Sequence, residues 1–171
     1  MMTSRMSIPT RPKLILGFDP GYERLGAALV EQKGSKENLV YSTCIRTPKS
    51  ALFEERLLMI GRACESLIAE YRPTAVALEK VFLTKNQKTA MQIAEVRGVL
   101  TYIAAQSGLP LFEYTPLEVK VAVTGHGGSD KRQVADMVKR LVSLPAKKRL
   151  DDELDAIAIA LTCLASTRSL A

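Results

Sequence analysis

The sequence predicts an α/β domain on a mixed five-stranded sheet, with three antiparallel strands, then two parallel ones, and helices on both faces. Three observations predict it. The first third of the chain carries strand-like apolar runs joined by short glycine-containing connections. The middle alternates helix-period and strand-like segments, which implies parallel pairing through right-handed crossovers. The remainder is helical in pattern, enough to cover both faces of a sheet.

The strands of the first third are Lys13–Asp19, Arg24–Lys33 after a tight turn, and Glu37–Thr47 after Gly34, Ser35 and Lys36. The period then changes: Leu57, Ile60, Cys64, Leu67 and Tyr71 recur at three- and four-residue steps, predicting a helix from Ala51 to Tyr71. Pro73 ends it, and Thr74–Glu79 is a short apolar strand closing on an acid. A helix over Asn86–Ser107 carries Ile93, Val96, Leu100 and Ile103 on one stripe, and Leu111–Tyr114 is the fifth strand. Helices follow over Pro116–Val123, Ser129–Ser143 and Asp151–Ser166. Three strands followed by α-β-α-β-α is the element order of the ribonuclease H-like fold, which does not by itself assign a function.

With 171 residues, 47% of them apolar and 25% charged, the chain is expected to form one domain over residues 13–168. Residues 1–12 have no apolar core of a secretory signal and are expected to be a flexible arm. No apolar run approaches the roughly 20 residues that span a bilayer, so a membrane protein is excluded. Cys44, Cys64 and Cys163 are far apart, form no Cys-x-x-Cys pair, and have only His126 beside them. That pattern argues against structural zinc and disulfides and points to a reduced, cytoplasmic protein. A divalent metal, if bound, would be held by carboxylates, which favours magnesium or manganese.

Lys and Arg outnumber Asp and Glu by 24 to 18, a net charge of +6. Between Thr115 and Leu150, Lys120, Lys131, Arg132, Lys139, Arg140, Lys147, Lys148 and Arg149 stand against Glu118, Asp130 and Asp136. Most of the excess charge therefore lies in one segment, which suits either a phosphate-binding surface or a solvated helical face.

Three acidic sites sit at the edges of apolar elements. Asp19 ends the first strand and Glu79 the fourth, and in this fold those strands are neighbours. The third site is LDDELDAIAIALTCLA, where Asp152 and Asp155 are i and i+3 on one side of a helix's first turn. Turn chemistry explains Asp19 alone, and capping or the helix dipole explains acids in a first turn. Glu79 is harder to explain so, because Glu is depleted from strands. Carboxylates converging at a sheet edge repel one another unless a cation lies among them. Two divalent ions about 4 Å apart are what phosphodiester cleavage uses, one activating water and one stabilising the leaving oxygen.

GFDPGYERLG, CIRT, ALEKVFLTKN, the RG of EVRGVL, FEYTPLEVK and DDELDAIAIAL occur in the order found in the RuvC family of Holliday junction resolvases. The resemblance runs from about Lys13 to Ala165 and covers nearly the whole predicted domain. It implies a crossover junction endodeoxyribonuclease that resolves four-way DNA junctions by paired symmetric nicks in recombination and repair, leaving 5′-phosphate ends. Asp19, Glu79, Asp152 and Asp155 match the family's catalytic, metal-binding carboxylates, two Mg2+ or Mn2+ ions being held per site. The spacing to Ala156–Ala160 selects Asp152, with Asp151 the secondary candidate. Phe82 matches the aromatic that stacks on unpaired bases. Lys120 and Lys131 match the basic residues that face DNA, with Arg132 beside them in the same segment. The family pattern has Thr-His after the terminal helix motif where this chain has Thr162 and Cys163. GHGGSDK, with Gly125, Gly127 and Gly128 around His126, reads as a loop able to turn N–H groups toward a phosphate, or as a plain surface loop. A homodimer is implied, with the helix near Asn86–Ser107 in its interface, and a branch-migration motor complex as partner at the nucleoid.

Three alternatives share parts of this pattern. Actin-like ATPases and sugar kinases use an Asp-x-Gly turn after the first strand, but with a second domain and an adenosine-binding glycine motif. A YqgF-type ribonuclease H-like nuclease acting on RNA is not expected to carry EKVF or the FEY–TP–EVK block. A non-catalytic junction-binding protein would have lost some of the four acids, and all four positions are filled here.

Overall fold

The computed structural model describes residues 13–80, 87–144 and 149–168; the predicted arm over residues 1–12 lies outside them. The elements are β1 (Leu14–Asp19), β2 (Arg24–Lys33), β3 (Lys36–Arg46), α1 (Phe53–Tyr71), β4 (Ala75–Glu79), α2 (Gln87–Gln106), β5 (Leu111–Tyr114), α3 (Pro116–Thr124), α4 (Lys131–Leu141), β6 (Val142–Ser143) and α5 (Asp151–Arg168). They share one sheet, ordered β5-β4-β1-β2-β3-β6. The β1–β2 and β2–β3 pairs are antiparallel, and the β1–β4 and β4–β5 pairs are parallel.

One element departs from expectation. The helix predicted to run to Ser143 ends at Leu141, and Val142–Ser143 pairs in parallel with Glu37 and Asn38 of β3 as a sixth, two-residue strand. Val142 is β-branched and Leu144 precedes a proline, which disfavours the α region there, and the free edge of β3 beside the segment turns it into a strand.

Punctuation elsewhere follows turn chemistry. Gly34 takes φ 64° in the two-residue β2–β3 loop, a left-handed position that costs glycine little. Helix α1 stops at Arg72, which adopts φ 51° and donates its backbone N–H to the carbonyl of Ile68, immediately before Pro73. Side-chain caps start α3 and α4: Thr115 with Glu118, and Asp130 with Gln133, form reciprocal capping boxes.

The sheet separates two apolar layers. Leu16, Phe18, Leu25, Leu29, Val76 and Leu78 pack against α1 and α2 through Ile60, Cys64, Leu67, Val96 and Leu100. On the other face Ile15, Ala28, Val30, Ala75 and Ala77 meet α3, α4 and, above all, α5, whose Ala156 to Leu161 stretch is buried without interruption. Among the described residues no helix is long and apolar enough to cross a membrane.

Candidate active site

Strand alternation brings two of the predicted acids together. Ile15 and Gly17 precede Asp19 on the α5 face of β1, and Ala75 and Ala77 precede Glu79 on the same face of β4. The parallel register pairs Phe18 with Leu78, so the next residues, Asp19 and Glu79, leave adjacent strands at the same sheet edge. The residues just before the acids on that face, Gly17, Ala75 and Ala77, are small, and that leaves room for a helix.

Helix α5 fills that room by lying on glycines. Asp19 pairs with Gly26 of β2, and a Cβ built at Gly26 would fall 1.9 Å from the Asp152 carbonyl oxygen. At Gly17 a Cβ would fall 2.5 Å from the Ala156 carbonyl oxygen and 2.9 Å from the Ala160 Cβ. The first turn of α5 therefore touches the sheet backbone directly, and Asp155 is carried to the edge where Asp19 and Glu79 end. The three line an open cleft of about 220 Å³ together with Lys120 and Lys131.

The electrostatics are those of a crowded anionic site. Burial, then the charges of Asp155, Glu79 and Asp152, push the Asp19 carboxyl up to about 7, against a smaller pull from Lys131. Burial and Asp155 raise Glu79. Burial also raises Asp155, although Lys131 Nζ donates to its Oδ2 at 2.9 Å. That bond in turn raises the Lys131 ammonium. Lys131 reaches this position because Asp130 caps α4 and makes Lys131 its first helical residue.

Asp152 is placed differently from the other three. Its carboxylate forms an ion pair with Arg24, 3.5 Å from Nε, and lies 3.9 Å from the Cys44 thiol, on the β2–β3 side of α5's first turn. Asp152 is coupled electrostatically to Asp19 but does not line the cleft. The Arg24 contact escaped the sequence reading; the only signal was the basic residue opening β2 in YERLG. Asp151 is exposed, and its charge is felt by Lys131 and Asp155.

The predicted DNA-facing residues divide. Lys120 and Lys131 both line the cleft, whereas Arg132 is exposed outside it. Phe82 lies outside the described residues. The GHGGSDK loop is tied to itself: Thr124 Oγ1 accepts from His126 N–H and shares a hydrogen bond with Ser129 Oγ at 2.7 Å. Gly125 is the left-handed cap of α3, so the loop's geometry is that of a helix-to-helix connection. Thr162 and Cys163, where the family pattern has Thr-His, are buried in α5 against the sheet.

The donor set fits a hard divalent cation. It offers carboxylate oxygens only; burial first, and then the neighbouring carboxylates, drive Asp19 toward protonation, and a dication among them would relieve the repulsion. Among the described residues no three acidic, histidine or cysteine side chains form a closed ligand cluster; Asp155 is engaged by Lys131 and Asp152 by Arg24.

Comparison with known proteins agrees with this geometry. The family model described as crossover junction endodeoxyribonuclease RuvC matches residues 15–163. A protein of that name from Desulfitobacterium hafniense is 45% identical over 148 residues, covering 86% of this chain and 90% of its own. Another from Moorella thermoacetica is 44% identical over 153 residues, covering 90% and 91%. Among solved structures, Thermus thermophilus RuvC in complex with Holliday junction substrate superposes with a TM-score of 0.85 at 31% identity, over 92% of this chain and 96% of that one. Family model, curated relatives and solved fold agree over the segment that carries the clustered acids, and the chain belongs to the RuvC family of crossover junction endodeoxyribonucleases.

Proposed function

We propose that this protein is a structure-specific, metal-dependent endonuclease that resolves four-way DNA junctions by paired symmetric nicks, acting in recombination and repair. The observation that carries the reading is the convergence of Asp19, Glu79 and Asp155 from three elements on one cleft faced by Lys120 and Lys131. Two Mg2+ or Mn2+ ions per site would supply an activated water and neutralise charge on the departing oxygen.

The protein's own groups bind and orient. Asp19, Glu79 and Asp155 would hold the cations, with Asp152 as the fourth carboxylate of the set. Lys131 and Lys120 draw the scissile phosphate into the cleft and offset the charge that builds on its oxygens. Water oxygen bonds to phosphorus, the bond to the 3′ oxygen breaks, and that oxygen takes a proton, leaving 3′-hydroxyl and 5′-phosphate ends. Phe82, three residues beyond Glu79 in the sequence, would stack on bases unpaired at the junction centre. Arg132 contributes to backbone phosphate binding.

Residues 13–168 act as one nuclease domain. A two-fold dimer suits a two-fold substrate, since each subunit presents one cleft. The exposed Met91 and Tyr102 of α2 support that helix as part of the interface. A branch-migration motor complex at the nucleoid is the natural partner of such an activity.

One assay tests the reading. A labelled mobile four-way junction, matched duplex and RNA hybrid are incubated with magnesium, manganese or no metal. Paired nicks confined to the junction, and dependent on metal, are expected; cleavage of the hybrid alone overturns the reading in favour of an RNA nuclease.

A further inference from the structure

Glu153 lies between the two acids of α5's first turn, yet it faces away from the cleft and is 4% exposed. A buried carboxylate is retained only where its oxygens are bonded. Here they are. Glu153 Oε2 accepts from Ser42 Oγ of β3 at 2.7 Å, and Oε1 accepts from the backbone N–H of Leu150 at 3.4 Å. Ser42 is itself buried and also accepts from Arg149 Nε at 3.1 Å.

The arrangement has a reason in the helix start. Leu150 precedes α5 and its carbonyl accepts from Glu153 and Leu154 N–H, but its side chain has no oxygen with which to cap the first turn. Glu153 supplies the returning half of a capping box and anchors the turn across to β3. Ser42 and Cys44 point to the same face of β3 two residues apart, meeting Glu153 and Asp152 respectively. The α5 turn is thus held from below by Gly26 and from the side by Ser42.

We propose that the Ser42–Glu153–Leu150 clasp is a positioning device. It fixes the rotation of α5's first turn so that Asp155, two residues beyond Glu153, lines the cleft and Asp152, just before it, stays within electrostatic reach of Asp19. This rests on the metal-dependent nuclease reading above. Partners that orient metal-binding residues typically change metal affinity or activity by roughly 10- to 100-fold when removed.

The test measures Mn2+ affinity calorimetrically on the dimer-competent full chain, alongside nicking and junction binding in calcium. Glu153→Ala should weaken Mn2+ binding by about 10-fold and lower kcat, with junction affinity within about twofold of wild type. Ser42→Ala, milder and made on β3 rather than on α5, should lose about threefold to 10-fold, and the double variant should lose less than the product of the two. Glu153→Gln keeps one acceptor oxygen for either the Ser42 hydroxyl or the Leu150 N–H, its NH2 being able only to donate, and should recover part of the affinity, which a purely electrostatic role would not allow. A folded Glu153→Ala with wild-type Mn2+ affinity and kcat overturns the proposal while leaving the nuclease reading intact. A wild-type protein that neither binds Mn2+ nor nicks the junction overturns both.

Discussion

Gly26 and Asp152 are in backbone contact: no Cβ fits at Gly26 without entering the carbonyl oxygen of Asp152. Glycine at that position is what lets the first turn of α5 rest on β2 directly across from Asp19, its β1 pairing partner. The nuclease site is therefore set by a missing side chain as much as by the acids themselves.

Gly26→Ala should force α5's first turn off the sheet. The expected cost is about 1–3 kcal/mol of stability, the usual range for overpacking. Nicking should fall further than stability explains, because displacing catalytic groups by about 1 Å costs on the order of 100-fold. Thermal unfolding and single-turnover nicking of the same preparation check this; wild-type kcat would show that α5 tolerates the shift.

Asp19→Asn should abolish nicking while junction binding persists in calcium, and normal cleavage by this variant would overturn the carboxylate assignment. The same residue carries a pH effect. Its folded value of about 7 lies above its ordinary 3.8, so the metal-free fold holds a proton that the unfolded chain has released. The stabilising contribution is then complete below about pH 4 and is lost as pH rises through about 7. Glu79 and Asp155 shift in the same direction. Metal-free protein should accordingly lose stability between about pH 4 and about pH 7, and Asp19→Asn should flatten that slope. At pH 8 it should stabilise the metal-free protein by on the order of 2 kcal/mol. Melting curves in chelator across that range provide the measurement; an unchanged slope refutes it.

Asp151 and Asp152 are neighbours with different surroundings, and their variants should separate. Asp152 sits by Arg24 and Cys44 and is coupled to Asp19, while Asp151 is exposed. Asp152→Asn should reduce nicking by at least about 100-fold, in line with loss of charge stabilisation at a reacting centre. Asp151→Asn should stay within about fivefold, the scale of a screened surface charge. Reversal of that order would move the fourth carboxylate to Asp151.

Lys131→Ala removes the cation bonded to Asp155 and one wall of the cleft. Junction affinity should drop and the slope of log affinity against log salt should shrink by about one unit. Arg132→Ala, exposed outside the cleft, should alter binding without a matching loss of kcat. A Lys131→Ala protein with unaltered salt dependence and rate would reduce the basic segment to a solvated surface.

Much of this protein is written in local pattern. Apolar period and punctuation by Gly34, Pro73 and Gly108 locate the strands and long helices, because each depends on residues a few positions apart. The two acid-terminated strands, and the acid pair opening α5, are visible for the same reason. Local pattern does not reach Val142–Ser143, whose strand character needs the edge of β3 beside it. Nor does it tell Asp152 from Asp155: three residues apart on one helix, they differ only because Arg24 and Cys44 lie on one side of that turn and Lys131 on the other. Burial of Glu153 belongs to the same class, since Ser42 is 111 residues away along the chain. Sequence alone determined which acids this protein has and which elements carry them. Tertiary structure decided which of them share a cleft, because electrostatic coupling and close packing depend on distances in space that sequence separation does not set.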